Sequence, residues 1–492
     1  MIIGNLKARK ISVLLLACLI LVCIITACAG NDTKGKNDIN ENNIENNDSS
    51  LVEETQNPYS EFPKVKMDGR VFRILMPEYI VERNYVISEV ETGETLNDAA
   101  FMRNIEIEDK FDIVIEARGG DMNCHKELSK LVSSGDDSID LVIPHPTTGI
   151  TAMVTDGLLL NWNDMKYIDF TKPCWNTDMQ NALAIGNKLF YACGDVTVTS
   201  QGLGEILFNK EIAQNFGLEN PYKYVFDGVW TMDKLSEIIK GVSTDLNGDG
   251  VMDKNDMFGY VSTASDSGYL WSCGIKIARN NEEGRPVLAM MDDRMASTVD
   301  KLYNLLYGGD AYLEYGKKGQ YVDGCKHFAD GKALTVVWDI GTYWMDMRPI
   351  EFDFGILPKP KLNEIQENYY GMVAAGIMGI PLNVKDPENT SIIIQAYAEG
   401  SYKYLHPAFI DVVLYNKCLR DEESQKILEM IFDNKVYDFG FSFDANYNLA
   451  YILNEVVLRG GSTDFVSYYE KYAEGTQANF DKIYEICMNN EN

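Results

Sequence analysis

Histidine is scarce in this chain, with 4 in 492 residues. That excludes a histidine-rich metal centre. Basic residues are also short: 44 Lys and Arg stand against 74 Asp and Glu, a formal charge of −30. Nucleic acid needs a basic face to meet its phosphates, so that class of partner is excluded. The same acidity keeps a protein soluble and suits neutral or cationic ligands better than anionic ones. There is no Cys-x-x-Cys pair, which argues against a zinc site or a redox dithiol. Gly-x-Ser-x-Gly, the P-loop lysine motif and His-Glu-x-x-His are missing too. Acids are so numerous that a glycosidase carboxylate pair is not excluded by counting, but none is singled out by its neighbours.

What is present begins at the amino terminus. Lys7, Arg9 and Lys10 precede an apolar run from Ile11 to Ile25, and small residues lead to Cys28. The pattern resembles lipoprotein signal peptides, which implies cleavage before Cys28 and a lipid on its sulfur. A lipid chain holds a protein against a membrane without spanning it. The competing reading is an uncleaved anchor, for which the apolar run is slightly short. Residues 1–27 are therefore expected to be a signal peptide. Residues 28–65 are expected to be a lipidated, polar tether, because Asn31 to Ser50 has almost nothing to bury. The expected location is the extracellular face of the cell membrane. Of 10 cysteines, the signal removes Cys18 and Cys23 and the lipid takes Cys28. The other seven are Cys124, Cys174, Cys193, Cys273, Cys325, Cys418 and Cys487, an odd and widely spaced set that reads as mostly free, buried thiols.

The folded body opens with Val71–Met76 as a strand, Asn97–Lys110 as a helix and Phe111–Glu116 as a second strand. Cys124–Ser133 follows as a helix and Asp140–Ile143 as a third strand. This alternation signals parallel strands with crossover helices. Ligands of such sheets meet the carboxyl ends of strands, so Pro144-His145-Pro146-Thr147-Thr148 is a candidate ligand loop, with an ordinary strand-ending turn as the alternative.

Further on, short segments occur in a recognisable order. Gly157-Leu158-Leu159 is followed by Asn187-Lys188-Leu189-Phe190-Tyr191, then Phe208-Asn209-Lys210, then Trp230-Thr231 opening a helix with Thr231 as its N-cap. Later come Phe328-Ala329-Asp330-Gly331-Lys332-Ala333-Leu334, Gly341-Thr342-Tyr343-Trp344, Phe354-Gly355-Ile356-Leu357-Pro358-Lys359-Pro360 and Gly376-Ile377-Met378-Gly379-Ile380. Together, across 70–490, they resemble the extracellular solute-binding proteins that feed ABC sugar importers. The resemblance implies a two-lobed, periplasmic-binding-protein-like α/β fold of type II. Each lobe would be a mixed, mostly parallel sheet flanked by helices, with a hinge between lobes. It further implies lobe one at 66–198 plus 368–405 and lobe two at 199–367 plus 406–492. Crossings would fall near Thr197–Gly204 and near Tyr370.

The sharpest local motif is Asp245-Leu246-Asn247-Gly248-Asp249-Gly250-Val251-Met252-Asp253-Lys254-Asn255-Asp256. It follows the EF-hand loop pattern. Asp245, Asn247, Asp249, Asp253 and Asp256 supply side-chain oxygens and Val251 a carbonyl. Ca²⁺ takes about six to eight oxygens, and an Asp at the twelfth position is one methylene short of the usual Glu. The alternative is a solvated acidic turn. If the ion binds, its role is structural.

Sugars offer apolar C–H faces edged by hydroxyls, so a sugar site needs aromatic platforms beside amides and carboxylates. Trp344 and Tyr343 follow a strand and are the best candidates, then Trp271 and Trp175. Trp230 and Trp338 read as core. Asp195 and Glu205 flank the implied crossing and join Thr147 and Thr148 as polar candidates. Asn389-Thr390-Ser391 is a glycosylation sequon without meaning in a bacterial lipoprotein. No catalytic residue is proposed. The expected function is capture of a carbohydrate, an oligosaccharide by preference, and its delivery to ABC permease subunits by a monomeric, non-enzymatic receptor. The alternatives are a surface glycoside hydrolase or esterase, and a receptor for peptides or other solutes.

Overall fold

The computed structural model describes residues 60–489, apart from 79–84, 122–123, 201, 314, 317–319, 322–323, 341–343, 375 and 445–447. The signal segment, Cys28 and the tether to residue 59 lie outside the described residues. The chain is already packed at Ser60, whose N–H donates to Glu399 Oε1, and Phe62 meets Phe111 edge-on at 5.8 Å. The folded body thus starts several residues before the expected position 66, because Phe62 and Val65 give this stretch apolar surface to bury.

The first lobe is built on β1 (Arg70–Pro77), α1 (Thr95–Phe111), β2 (Ile113–Gly120), α2 (His125–Ser134) and β3 (Leu141–Val142). The strands are parallel in the order β2-β1-β3, as strand–helix alternation demands. In α1, Leu96, Ala100, Ile107 and Phe111 form the buried stripe, and the Glu94 carboxylate caps the amides of Leu96 and Asn97. In α2, Gly135 at φ 69° closes the helix in the left-handed conformation that glycine adopts readily.

Next come α3 (Ile150–Thr155) and α4 (Thr177–Leu183). The second lobe holds a seven-stranded sheet. Its strands are β4 (Gly202–Asn209), β5 (Phe258–Val261), β6 (Ala311–Tyr312), β7 (Ala333–Asp339), β8 (Phe354–Leu357), β9 (Gly371–Ala374) and β10 (Lys435–Val436). β4 is the axis. Along one edge β7 runs antiparallel to it, with Trp338 opposite Glu205. Along the other, β8 pairs with its carboxyl half and β9 with its amino half. β5 and β6 continue in parallel beyond β7.

The chain returns to the first lobe after β9, where Met378 bridges Ala192 and Gly379 bridges Val142. α5 (Pro387–Gly400) then buries Ile392, Ile393, Ile394 and Tyr397 among Phe72 and Ile74 of β1. α6 (Glu422–Asp433) packs on β8 of the second lobe.

The carboxyl-terminal part does not belong to the second lobe alone. α7 (Phe439–Phe443) touches α3 and α4 as well as strand Ala278–Asn280, and α8 (Phe465–Asn489) touches α3 as well as strand Pro286–Leu288. An aromatic chain carries this bridge. Phe480 of α8 meets Phe439 edge-on at 5.3 Å, Phe439 stacks on Phe443 at 4.3 Å, and Phe443 lies 6.3 Å from Tyr191 of the first lobe. An amphipathic helix announces that it needs a partner face, not which one.

Candidate functional site at the lobe junction

Two cavities lie where the lobes meet, and each is lined from both. The larger has a volume of about 740 Å³. The first lobe gives it Asp178 and Asn181 of α4, while the second gives Arg279, Arg294, Tyr370 and Lys435. The smaller, about 450 Å³, is walled by Trp175 and Asp195 of the first lobe and by His406, Phe409, Leu428 and Lys435. Asp433 and Lys435 line both cavities, so the turn between α6 and β10 separates them.

Local structure sets these side chains. Asn176 caps α4 by accepting from the Met179 amide, and its own amide donates across the junction to the Tyr437 hydroxyl. Gly194 brings Asp195 up against the preceding turn: a Cβ there would lie 2.3 Å from the Cys174 carbonyl oxygen. Asp195 is 7% exposed. Its Oδ1 accepts from His406 Nδ1 at 2.8 Å, while Oδ2 is buried with no hydrogen-bond partner. Burial pushes the Asp195 carboxyl up, more than His406 pulls it down. For His406, burial pulls downward, but the hydrogen bond and charge of Asp195 outweigh it and the net shift is upward. Burial lowers Lys435, against the attraction of Asp195 and Asp178.

No family model matches the sequence, and no curated protein matches it. Solved structures do match in fold. The galacto-N-biose-/lacto-N-biose I-binding protein of an ABC transporter from Bifidobacterium longum, in complex with lacto-N-biose, superposes with a TM-score of 0.57 at 15% identity, over 85% of this chain and 99% of that one. An ABC substrate-binding protein from Listeria monocytogenes in complex with cycloalternan gives 0.55 at 16% identity, over 84% and 99%. UgpB from Mycobacterium tuberculosis in complex with glycerophosphocholine gives 0.55 at 14%, over 78% and 95%. The fold is that of the solute-binding proteins of ABC transporters.

Within this solute-binding fold the polar and aromatic candidates separate. Asp195 and Trp175 reach a cavity wall, but Trp175 is also a core residue. It is 6% exposed, its Nε1–H donates to Gln395 Oε1, and its ring meets Trp162 at 5.7 Å. Trp271 lines the larger cavity as well, but it is 1% exposed, its Nε1–H donates to Asp438 Oδ2 at 2.7 Å and its ring meets Phe441 at 5.5 Å, so it is a packed wall residue and not an open platform. Glu205 is also misplaced by the sequence reading: it is fully buried inside the second sheet and lines neither cavity. Its Oε2 accepts from the Lys359 amide at 2.6 Å, its Oε1 is unpartnered, and burial pushes its carboxyl up to about 7 against the pull of Lys359.

Thr147 and Thr148 turn their hydroxyls to His145 Nδ1, at 3.1 and 3.2 Å. Pro146, just before them, lines a small cavity together with Val373 and Phe441, which brings the loop after β3 to the junction. Tyr343 lies outside the described residues; Trp344 opens the short helix Trp344–Met347. Sequence reasoning missed Asp438, which is fully buried and also accepts from the amides of Ile277, Ala278 and Gly440. It missed the cations of the larger cavity as well, because they are brought together from three separate stretches of chain.

The acidic loop closes on itself. Asp245 accepts from the amides of Gly248 and Gly250, Asp249 from Val251 and Asp253 from Asn255. Asp256 is fully buried and accepts from Leu246 and Asp253 through its two oxygens. Among the described residues no three His, Cys, Asp or Glu side chains converge as a metal site.

Proposed function

We propose that this protein captures an extracellular carbohydrate between its lobes and delivers it to ABC permease subunits, as a monomer held to the membrane by lipid on Cys28. The observation that carries the reading is the 740 Å³ cavity lined from both lobes. Its size falls in the range of small-molecule sites. Its walls combine amides, carboxylates and guanidinium groups with Tyr370 and Tyr437, the mixture that hydroxyl-edged rings require. A ligand that touches both walls is bound better by the closed form, and that difference in affinity is what shifts the population. The carbohydrates in the Bifidobacterium and Listeria complexes support this class of ligand. The described residues contain no helix long and apolar enough to cross a membrane.

The test is a thermal-shift and calorimetric screen of the mature protein against a glycan panel that includes glycerophosphocholine and short peptides. A saccharide that raises the melting temperature and is recovered intact supports the reading. Cleavage of a bound glycan, or a response to peptides alone, overturns it. Calcium binding by 245–256 is a second, separate proposal resting on the loop pattern. Chelating divalent ions should then lower the melting temperature; an equal melt with and without chelator counts against the ion.

A further inference from the structure

The larger cavity carries a charge opposite to that of the molecule. Over the whole chain acids outnumber Lys and Arg by 74 to 44. Among the residues lining this cavity, Lys276, Arg279, Arg294 and Lys435 outnumber Asp178 and Asp433, with Asp292 held by Arg294 just outside the lining. All four cations come from the second lobe, on three stretches (Lys276 with Arg279, Arg294, and Lys435) that the fold draws together.

Arg294 is positioned for an anion. Its Nε donates to Asp292 Oδ2 at 2.9 Å and its Nη2 to the same carboxylate. Gly274, at φ +78°, lets the guanidinium lie against the backbone: a Cβ there would come 2.7 Å from Nη1 and 3.7 Å from the Tyr370 ring. Nη1 has no hydrogen-bond partner among the described residues, and Lys276, Arg279 and Lys435 form no ion pair among them. A guanidinium fixed at one edge by a carboxylate keeps its other donors aimed, so little freedom is lost when an anion arrives. Burial lowers Lys435 against the attraction of Asp195, Asp178 and Asp433, none of which forms an ion pair with it. From the opposite wall Asn181 and Asp178 of α4 offer an amide and a carboxylate suited to hydroxyls.

We infer that the solute held in this cavity is an acidic saccharide, one whose carboxylates lie on the Lys276, Arg279, Arg294 and Lys435 side while its hydroxyls meet Asp178 and Asn181. The inference rests on the carbohydrate reading and narrows it. A uronate supplies the planar carboxylate that a guanidinium grips through two donors. A neutral sugar would leave Lys276, Arg279 and Lys435 without an ion-pair partner when the lobes close over it. The local positive potential in an otherwise acidic molecule also steers such a ligand to the cavity.

The experiment is calorimetry on the mature protein with matched glycans: uronate-containing di- to tetrasaccharides, their carboxyl-reduced neutral counterparts and sulfated analogues of the same backbone. At low salt a uronate ligand should bind about tenfold or more tighter than its neutral counterpart, the gap narrowing as ionic strength rises. Arg279→Gln, at an exposed position, should shrink the preference several-fold and leave the melting temperature of the unliganded protein unchanged. Arg294→Lys, which keeps the charge and loses the fork, should weaken uronates more than neutral glycans. Equal or tighter binding of the neutral counterparts overturns the inference while carbohydrate capture stands. Sulfated analogues preferred over carboxylated ones overturn the carboxylate assignment. If no glycan of any charge binds, the carbohydrate reading itself fails.

Discussion

Asp195 and His406 meet where the chain passes from one lobe to the other, and their titration should be felt by the whole body. His406 is raised in the folded state, so its contribution is fully present below the ordinary imidazole value and lost as pH rises through the raised one. Asp195 is raised too; its contribution falls as pH rises from the ordinary carboxylate value to the folded one. The two contributions have the same sign. The melting temperature should therefore decline from mildly acidic pH to above neutrality, and His406→Gln should flatten the upper part of that decline. A melting curve independent of pH in the wild type would count against this pairing. Glu205 offers a cleaner case. Its folded value of about 7 stands against an ordinary 4.5, so stability is lost between those two pH values. The loss is on the order of 3 kcal/mol. Glu205→Gln should remove it, as read from urea midpoints at both ends of the window.

Among the elements, β4 and α8 matter most for the junction. β4 pairs with three strands and begins where the chain leaves the first lobe, so its amino end sets the base of the interface. α8 ties the outer parts of both lobes. Arg285 of the second lobe pairs with Asp481 at 3.2 Å, and Tyr484 and Met488 lie over Gly186 of the first lobe. Phe480→Ala removes a fully buried ring from the Tyr191–Phe443–Phe439 chain. It should cost about 3–5 kcal/mol, measurable by chemical denaturation. A loss below about 1 kcal/mol would show that the bridge contributes little.

For the whole molecule, ligand capture has a thermodynamic signature. A solute that binds only the folded form adds about 2.7 kcal/mol at a hundredfold excess over Kd. The melting temperature of the mature protein should therefore climb with ligand concentration. A saturating ligand should also lower its radius of gyration in solution scattering, as the lobes draw together. An unchanged radius with a bound, stabilising ligand would mean that capture does not require closure.

The sequence by itself determined the elements of the first lobe. The parallel strands and crossover helices from Arg70 to Val142 follow from apolar periodicity, and Thr231 caps its helix by accepting from the Lys234 amide, as read. It marked Trp230 and Trp338 as core, since both lie in apolar surroundings and are buried. Among the described residues the seven cysteines form no disulfide, and six of them are buried. What only the tertiary structure decided is which side chains face a cavity. Glu205 carries the chemistry of a site and sits in the core, because strand alternation turns it inward, whereas Trp271, its indole N–H held by the buried Asp438, edges the larger cavity. Lys276, Arg279, Arg294 and Lys435 carry no local signal and stand together, because loops distant in sequence converge at the junction. Periodicity reports a face to be buried within one element, whereas a binding site is made by elements meeting, and that depends on contacts no stretch of chain encodes alone.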